Sequence, residues 1–127
     1  MIVLDASAAV SALLNAGQAR TSLADEAVHV PHLIDAEIAH ALRRQVLGRS
    51  LGAADGWAAL DTWRRLGVVR HPINGLLDRV WELRENVSAY DASYLALAEA
   101  FGCALLTADA RLGRVPGLRC AVTVVPR

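Results

Sequence analysis

The chain contains no lysine: all 13 of its cationic residues are arginine, balanced by 13 carboxylates for a formal net charge of zero. No G-x-x-x-x-G-K-[ST] occurs, so a P-loop nucleotide site is excluded. A neutral total also supplies no global positive field, so contact with a nucleic acid would need a local arginine patch. Cysteine is scarce. Cys103 and Cys120 are too few for a thiolate zinc site, have no C-x-x-C spacing and lie beside apolar runs, which reads as buried free thiols in a reducing compartment. The four histidines are scattered, His29 and His32 around Pro31, His40 and His71 alone, with no helical metal pair. No apolar run reaches the ~18 to 20 residues needed to span a bilayer. The first residues lack the basic, apolar and small-residue zones of a signal peptide. The expectation is a cytoplasmic protein with no membrane segment.

What is present is apolar and regular. Hydrophobic residues make up 54% and charged residues 20% of the 127, which suits one domain over residues 1–127 with a core that needs neither disulfide nor structural metal. No internal repeat, low-complexity tract or linker interrupts it. Strand-like and helical segments alternate, which predicts an α/β sandwich with a mainly parallel sheet. Strands are expected over residues 2–4, 27–31, 67–72, 103–108 and 121–125. Helices are expected over 8–17, 18–25, 32–48, 53–66, 73–85 and 89–102, with a short one over 110–115. Trp57 and Trp63, at helical spacing among leucines, read as packing residues of a core or of a subunit interface.

The first strand ends in a carboxylate, MIVLDAS, with Asp5 followed by the Ser7 hydroxyl. CALLTADARL repeats the pattern with Thr107 and Asp109. In open α/β sheets, ligands bind beyond the carboxyl ends of strands where the strand order reverses, so adjacency of these two strands would turn Asp5 and Asp109 towards one crevice. Each acid also has a structural role open to it. Asp5, Ser7, Thr107 and Asp109 can cap the helices they precede, and Ser88-Ala89-Tyr90-Asp91 fits a capping box. Glu37 lies beyond the first turn of a helix that starts near His32, so capping does not account for it. A helical wheel puts Glu37 and Asp35 on opposite borders of the Ile34/Ile38/Ala41 stripe, and periodicity does not choose between them.

Clustered carboxylates resist joint ionisation unless a cation neutralises them. Oxygen-only ligands favour Mg²⁺ or Mn²⁺ over zinc or copper. With no candidate cysteine nucleophile and no Ser/His/Asp signature, the chemistry that suits such a site is phosphate transfer or hydrolysis. One or two ions, ~4 Å apart if paired, would assist it.

Together MIVLDAS, HLIDAEIAHALRR, YDASYLALAEAFG and LLTADARL resemble the PIN-domain ribonucleases, in particular the VapC toxins of bacterial type II toxin-antitoxin modules. The likeness runs in order over nearly the whole chain. It implies a three-layer α/β/α domain with four to five strands, the first and fourth side by side. It implies Asp5, Glu37, Asp91 and Asp109 as the metal-binding quartet, Glu37 rather than Asp35, with Ser7 and Thr107 holding a carboxylate or a metal-bound water. It also implies Mg²⁺ or Mn²⁺ as cofactor, RNA as substrate, a homodimer and a VapB-type antitoxin partner. His40 stands where many relatives carry asparagine. Arg43, Arg44, Arg111 and Arg114 are the candidates for RNA contact, with ordinary solvated helix charges as the alternative. Two rival classes remain: another α/β phosphoryl-transfer domain, phosphatase-like or receiver-like, and a catalytically inactive PIN-like binding module. The first is expected to use a lysine near the phosphoryl group.

Overall fold

A computed structural model describes all 127 residues. Five strands form one sheet in the order β3-β2-β1-β4-β5, and every neighbouring pair is parallel. They are β1 (Ile2–Leu4), β2 (Val28–Pro31), β3 (Val69–His71), β4 (Ala104–Thr107) and β5 (Val122–Val124). β1 is wholly buried, as a central strand covered on both faces must be, and hence reads as an unbroken apolar run.

The helices are α1 (Ala6–Leu14), α2 (Gln18–Asp25), α3 (Ile34–Leu47), α4 (Ala53–Arg65), α5 (Leu77–Glu82) and α6 (Ala89–Phe101). α1 packs against α2, α3 and α4, whereas α6 packs against α5 and lies on β1, β2 and β4. Three layers result, α/β/α, as the family resemblance implies. In α6 every residue from Ala92 to Ala98 is buried, so its apolar face is nearly the whole circumference. Truncating Leu95 there would cost about 2–5 kcal/mol. Gly102 ends the helix at φ +64°, a left-handed position that glycine takes without strain. No helix is long and apolar enough to cross a membrane.

The chain runs from β1 outward through β2 to β3, then returns past β1 to β4 and β5, so strand order reverses between β1 and β4. Leu4 is in register with Leu106, and the Asp5 N–H donates to the Leu106 carbonyl at 3.1 Å. Asp5 and Thr107 therefore emerge side by side at the carboxyl edge of the sheet. α1 and α3 begin at that edge because each follows a strand, and α6 begins there because it runs antiparallel to the strand it precedes.

Three expectations of helix type or bounds need correction. The 73–85 stretch is not one helix but a 3-10 turn, Asn74–Leu76, followed by the short α5, since Asn74-Gly75 disfavours helix. Residues 110–114 form a 3-10 turn rather than an α-helix, with Gly113 inside it and Pro116 just beyond. α3 starts at Ile34, two residues later than expected, because the His32 N–H still donates to the His71 carbonyl of the sheet. Of the tryptophans, Trp63 is a core residue at 1% exposed, whereas Trp57 at 57% and Trp81 at 68% exposed lie on the surface. The two cysteines are free thiols, only partly buried. Burial raises the Cys103 pKa and pushes Cys120 up to about 11.

Candidate active site

Asp5 caps α1. Its Oδ1 accepts the Ala8 N–H at 2.9 Å and the Ser7 hydroxyl at 2.7 Å. The Thr107 hydroxyl donates to Oδ2 at 2.5 Å. Each hydroxyl is itself fixed by backbone of the neighbouring strand end: Ser7 Oγ accepts the Ala108 N–H at 2.9 Å, and Thr107 Oγ1 accepts the Asp109 N–H at 3.0 Å. A carboxylate has about four lone-pair sites; three here are filled, leaving one on Oδ2. Asp5 is only 5% exposed. Desolvation raises its pKa against the three hydrogen bonds that lower it, with repulsion from Asp109 adding to the rise.

Asp109 caps the 3-10 turn through the Arg111 N–H, 3.0 Å from Oδ1. The Arg111 guanidinium also clamps it, Nη2 to Oδ2 at 2.6 Å and Nε to Oδ1 at 3.0 Å. That contact holds Asp109 below the usual aspartate range. Capping and site membership thus fall on the same carboxylates, for Asp5 and Asp109 alike.

Asp91 lies in the first turn of α6. Ser88 caps that helix by accepting the Asp91 N–H at 3.1 Å. The reciprocal half of a capping box is not made: the Asp91 carboxylate takes no hydrogen bond from the Ser88 N–H. Its pKa is raised by desolvation and by repulsion from Asp5 and Asp109, with Arg111 opposing.

Glu37 and Asp35 are both in the first turn of α3, closer to its start than expected, and they point to different tasks. Asp35 accepts Arg70 of β3 at two oxygens, 2.8 and 2.9 Å, and the indole N–H of Trp63 in α4 at 2.8 Å. Arg70 holds its pKa below the ordinary value. Glu37 instead accepts the Tyr94 hydroxyl of α6 at 2.6 Å, which joins the two helical layers over the sheet edge. Its pKa is raised by desolvation, partly offset by Tyr94, with repulsion from Asp91 and Asp5.

Asp5, Glu37, Asp91 and Asp109 therefore share one electrostatic neighbourhood: Asp5 repels each of the other three, and Asp91 repels Asp5, Glu37 and Asp109. The donor set is oxygen alone, the chemistry a hard divalent cation selects. No three His, Cys, Asp or Glu side chains already stand as a closed ligand set. Asp109 is engaged by Arg111. The residues have the donor chemistry of a hard divalent cation site.

Tyr94, the hydroxyl partner of Glu37, is the residue of this neighbourhood that sequence reasoning did not single out. Its one signal is its place three residues after Asp91, on the same helix face. Arg43 and Arg44, paired in sequence, part company in space. Arg43 borders an apolar groove between α3 and α4. Arg44 lines a wider trench between α1 and α3 that includes Ser7 and Glu37. Arg111 sits on Asp109, and Arg114 is exposed at the end of its turn.

Comparison with known proteins shows the family. The sequence matches the PIN domain over residues 2–118. It is 62% identical over 127 residues, all of both chains, to the VapC ribonuclease Mb0985 of Mycobacterium bovis and, to the same extent, to ribonuclease VapC9 of Mycobacterium tuberculosis. The structure is similar to that of PAE2754 from Pyrobaculum aerophilum, with a TM-score of 0.72 at 23% identity, covering 95% of this chain and 81% of that one.

Proposed function

The chain belongs to the PIN-domain family and, within it, to the VapC ribonucleases, and from that premise we propose that it is a Mg²⁺- or Mn²⁺-dependent endoribonuclease acting as the toxin of a toxin-antitoxin pair. The observation that carries this reading is the meeting of four carboxylates from four different elements at the carboxyl edge of the sheet, each repelled by at least two of the others. Such a cluster is costly to keep ionised and becomes favourable when a cation is bound.

Asp5, Glu37, Asp91 and Asp109 would hold one or two divalent ions. Bound there, the metal would supply an activated water and charge stabilisation at a scissile phosphodiester. The protein's own contribution is position. Ser7 and Thr107 lock the Asp5 carboxylate to the backbone of residues 108 and 109. Tyr94 orients Glu37. The Asp91 carboxylate, in the first turn of α6, would face a cation or take up a proton. Hydrolysis breaks one P–O bond, and the leaving oxygen takes a proton from solvent or from such a group.

The remaining parts of the reading follow from the family. The whole of residues 1–127 acts as one domain in the cytoplasm, as a homodimer, silenced by a VapB-type antitoxin. Exposed Leu77, Trp81 and Trp57 supply apolar surface for such contacts.

Asp91→Asn tests the chemistry. Asparagine is nearly isosteric and leaves the Ser88 cap, which uses the residue 91 backbone. The variant is expected to lose Mn²⁺-dependent cleavage of RNA with no fall in Tm. Full cleavage by it, or by the parent in excess chelator, would overturn the metal mechanism.

A further inference from the structure

The trench that takes in Ser7 and Glu37 at the edge of the acid cluster has a second end. It encloses about 930 Å³ between α1 and α3. Along α3 its wall carries Glu37, His40 and Arg44, at spacings of three and four residues, so all three look out from one helix face. The wall changes from anionic to cationic over about 10 Å of axial rise. Of the 13 arginines, six hold carboxylates: Arg64, Arg65, Arg70, Arg79, Arg111 and Arg119. Arg20 and Arg84 hold backbone carbonyls. Arg44 holds neither, and it lines this trench together with Arg127.

We propose that this trench carries the RNA strand away from the acid site, with Arg44 binding a backbone phosphate and His40 hydrogen-bonding the strand between Arg44 and Glu37. The inference deepens the ribonuclease reading of the same site and rests on it. Continuity favours RNA as the occupant: a polymer with one phosphate at the carboxylates must lay its next phosphates on adjoining surface, and the cationic end lies within a nucleotide or two of Glu37. The lining also says what this subsite does not do. Apart from the His40 imidazole it holds no aromatic ring, only small and aliphatic side chains among its polar groups, so there is no platform on which a base would stack. Arg44 therefore positions the chain without reading sequence.

The test measures binding of a short fluorescein-labelled oligouridylate by anisotropy across a salt series, in the Asp91→Asn background so that cleavage does not intervene. Arg44→Gln is expected to reduce the slope of log Kobs against log[salt] by about 0.7, one single-strand phosphate contact. Arg44→Lys should retain the slope, and Arg49→Gln, an exposed arginine outside the trench, should leave it unchanged. The same loss is expected with an oligoadenylate. An Arg44→Gln slope equal to that of the background overturns the proposal. So does an effect confined to a phosphate-free competitor such as oligoglutamate, which would make the trench a peptide site. If the parent neither cleaves RNA with Mn²⁺ nor binds the probe in the Asp91→Asn form, the ribonuclease reading itself fails. If the parent cleaves and the slope does not move, only the trench assignment falls.

Discussion

Tyr94 donates the one hydrogen bond that the Glu37 carboxylate receives, so its hydroxyl decides how readily that group ionises in a half-buried setting crowded by Asp91 and Asp5. Removing the donor in Tyr94→Phe leaves desolvation and repulsion unopposed, and the Glu37 pKa must rise further. The acid limb of the kcat/KM profile is then expected to move up by about one pH unit, from the typical strength of a hydrogen bond to a charged group. An unmoved limb would show that Glu37 is not the group being titrated. Arg111 acts in the opposite sense on Asp109, keeping it ionised but occupied. In Arg111→Gln the guanidinium no longer competes for those oxygens, so calorimetric titration should give tighter Mn²⁺ binding than in the parent. Weaker binding would mean that Arg111 organises the site rather than guarding it.

Within α3, two carboxylates two residues apart divide structure from chemistry. Asp35 ties the helix to β3 and α4 through Arg70 and the buried Trp63 indole. Asp35→Ala orphans the Trp63 N–H and is expected to cost about 1–3 kcal/mol, little of it from the half-exposed Arg70 pair. Thermal melting should show Tm lower by several degrees, with metal-dependent cleavage retained in the folded protein. Glu37→Gln should do the reverse, losing cleavage at undiminished Tm. Equal behaviour of the two variants would remove the distinction. No local pattern separates these residues, since both border the same apolar stripe. The partners that separate them lie 28 and 35 residues ahead for Asp35 and 57 ahead for Glu37. The strand-end acids were easier to find, because a buried parallel strand is a continuous apolar run and the carboxylate that stops it stands out. Their adjacency, which depends on the Leu4–Leu106 register, is not legible in the local pattern and comes only from the family resemblance. Tyr94 was hidden because an aromatic inside an apolar helix reads as core, and its ring is indeed buried. Asn74-Gly75, by contrast, was a visible break that the apolar periodicity of 73–85 masked.

For the molecule as a whole, folding brings together charges that the unfolded chain keeps apart, and pH should expose this. Asp5, Glu37 and Asp91 have folded pKa values above the ordinary 3.8 and 4.5. Such groups favour the fold below their unfolded pKa, and that contribution is lost as pH rises through the folded value. Asp35 and Asp109, with depressed values, contribute above their unfolded pKa and lose it as pH falls. Asp91→Asn deletes one group of the first kind and relieves its neighbours. In chelator, the Tm of this variant minus that of the parent should therefore grow as pH rises from about 4 to 7. A difference that is flat or shrinks would contradict the assigned repulsion.

The most direct measurement is the Tm of parent and Asp91→Asn protein across a Mn²⁺ titration at neutral pH. The parent should gain stability with increasing metal, about 2.7 kcal/mol at a hundredfold excess over Kd, while the variant starts higher in chelator and gains less. A parent Tm that does not respond to Mn²⁺, or equal gains in both proteins, would mean that these four carboxylates do not share a cation.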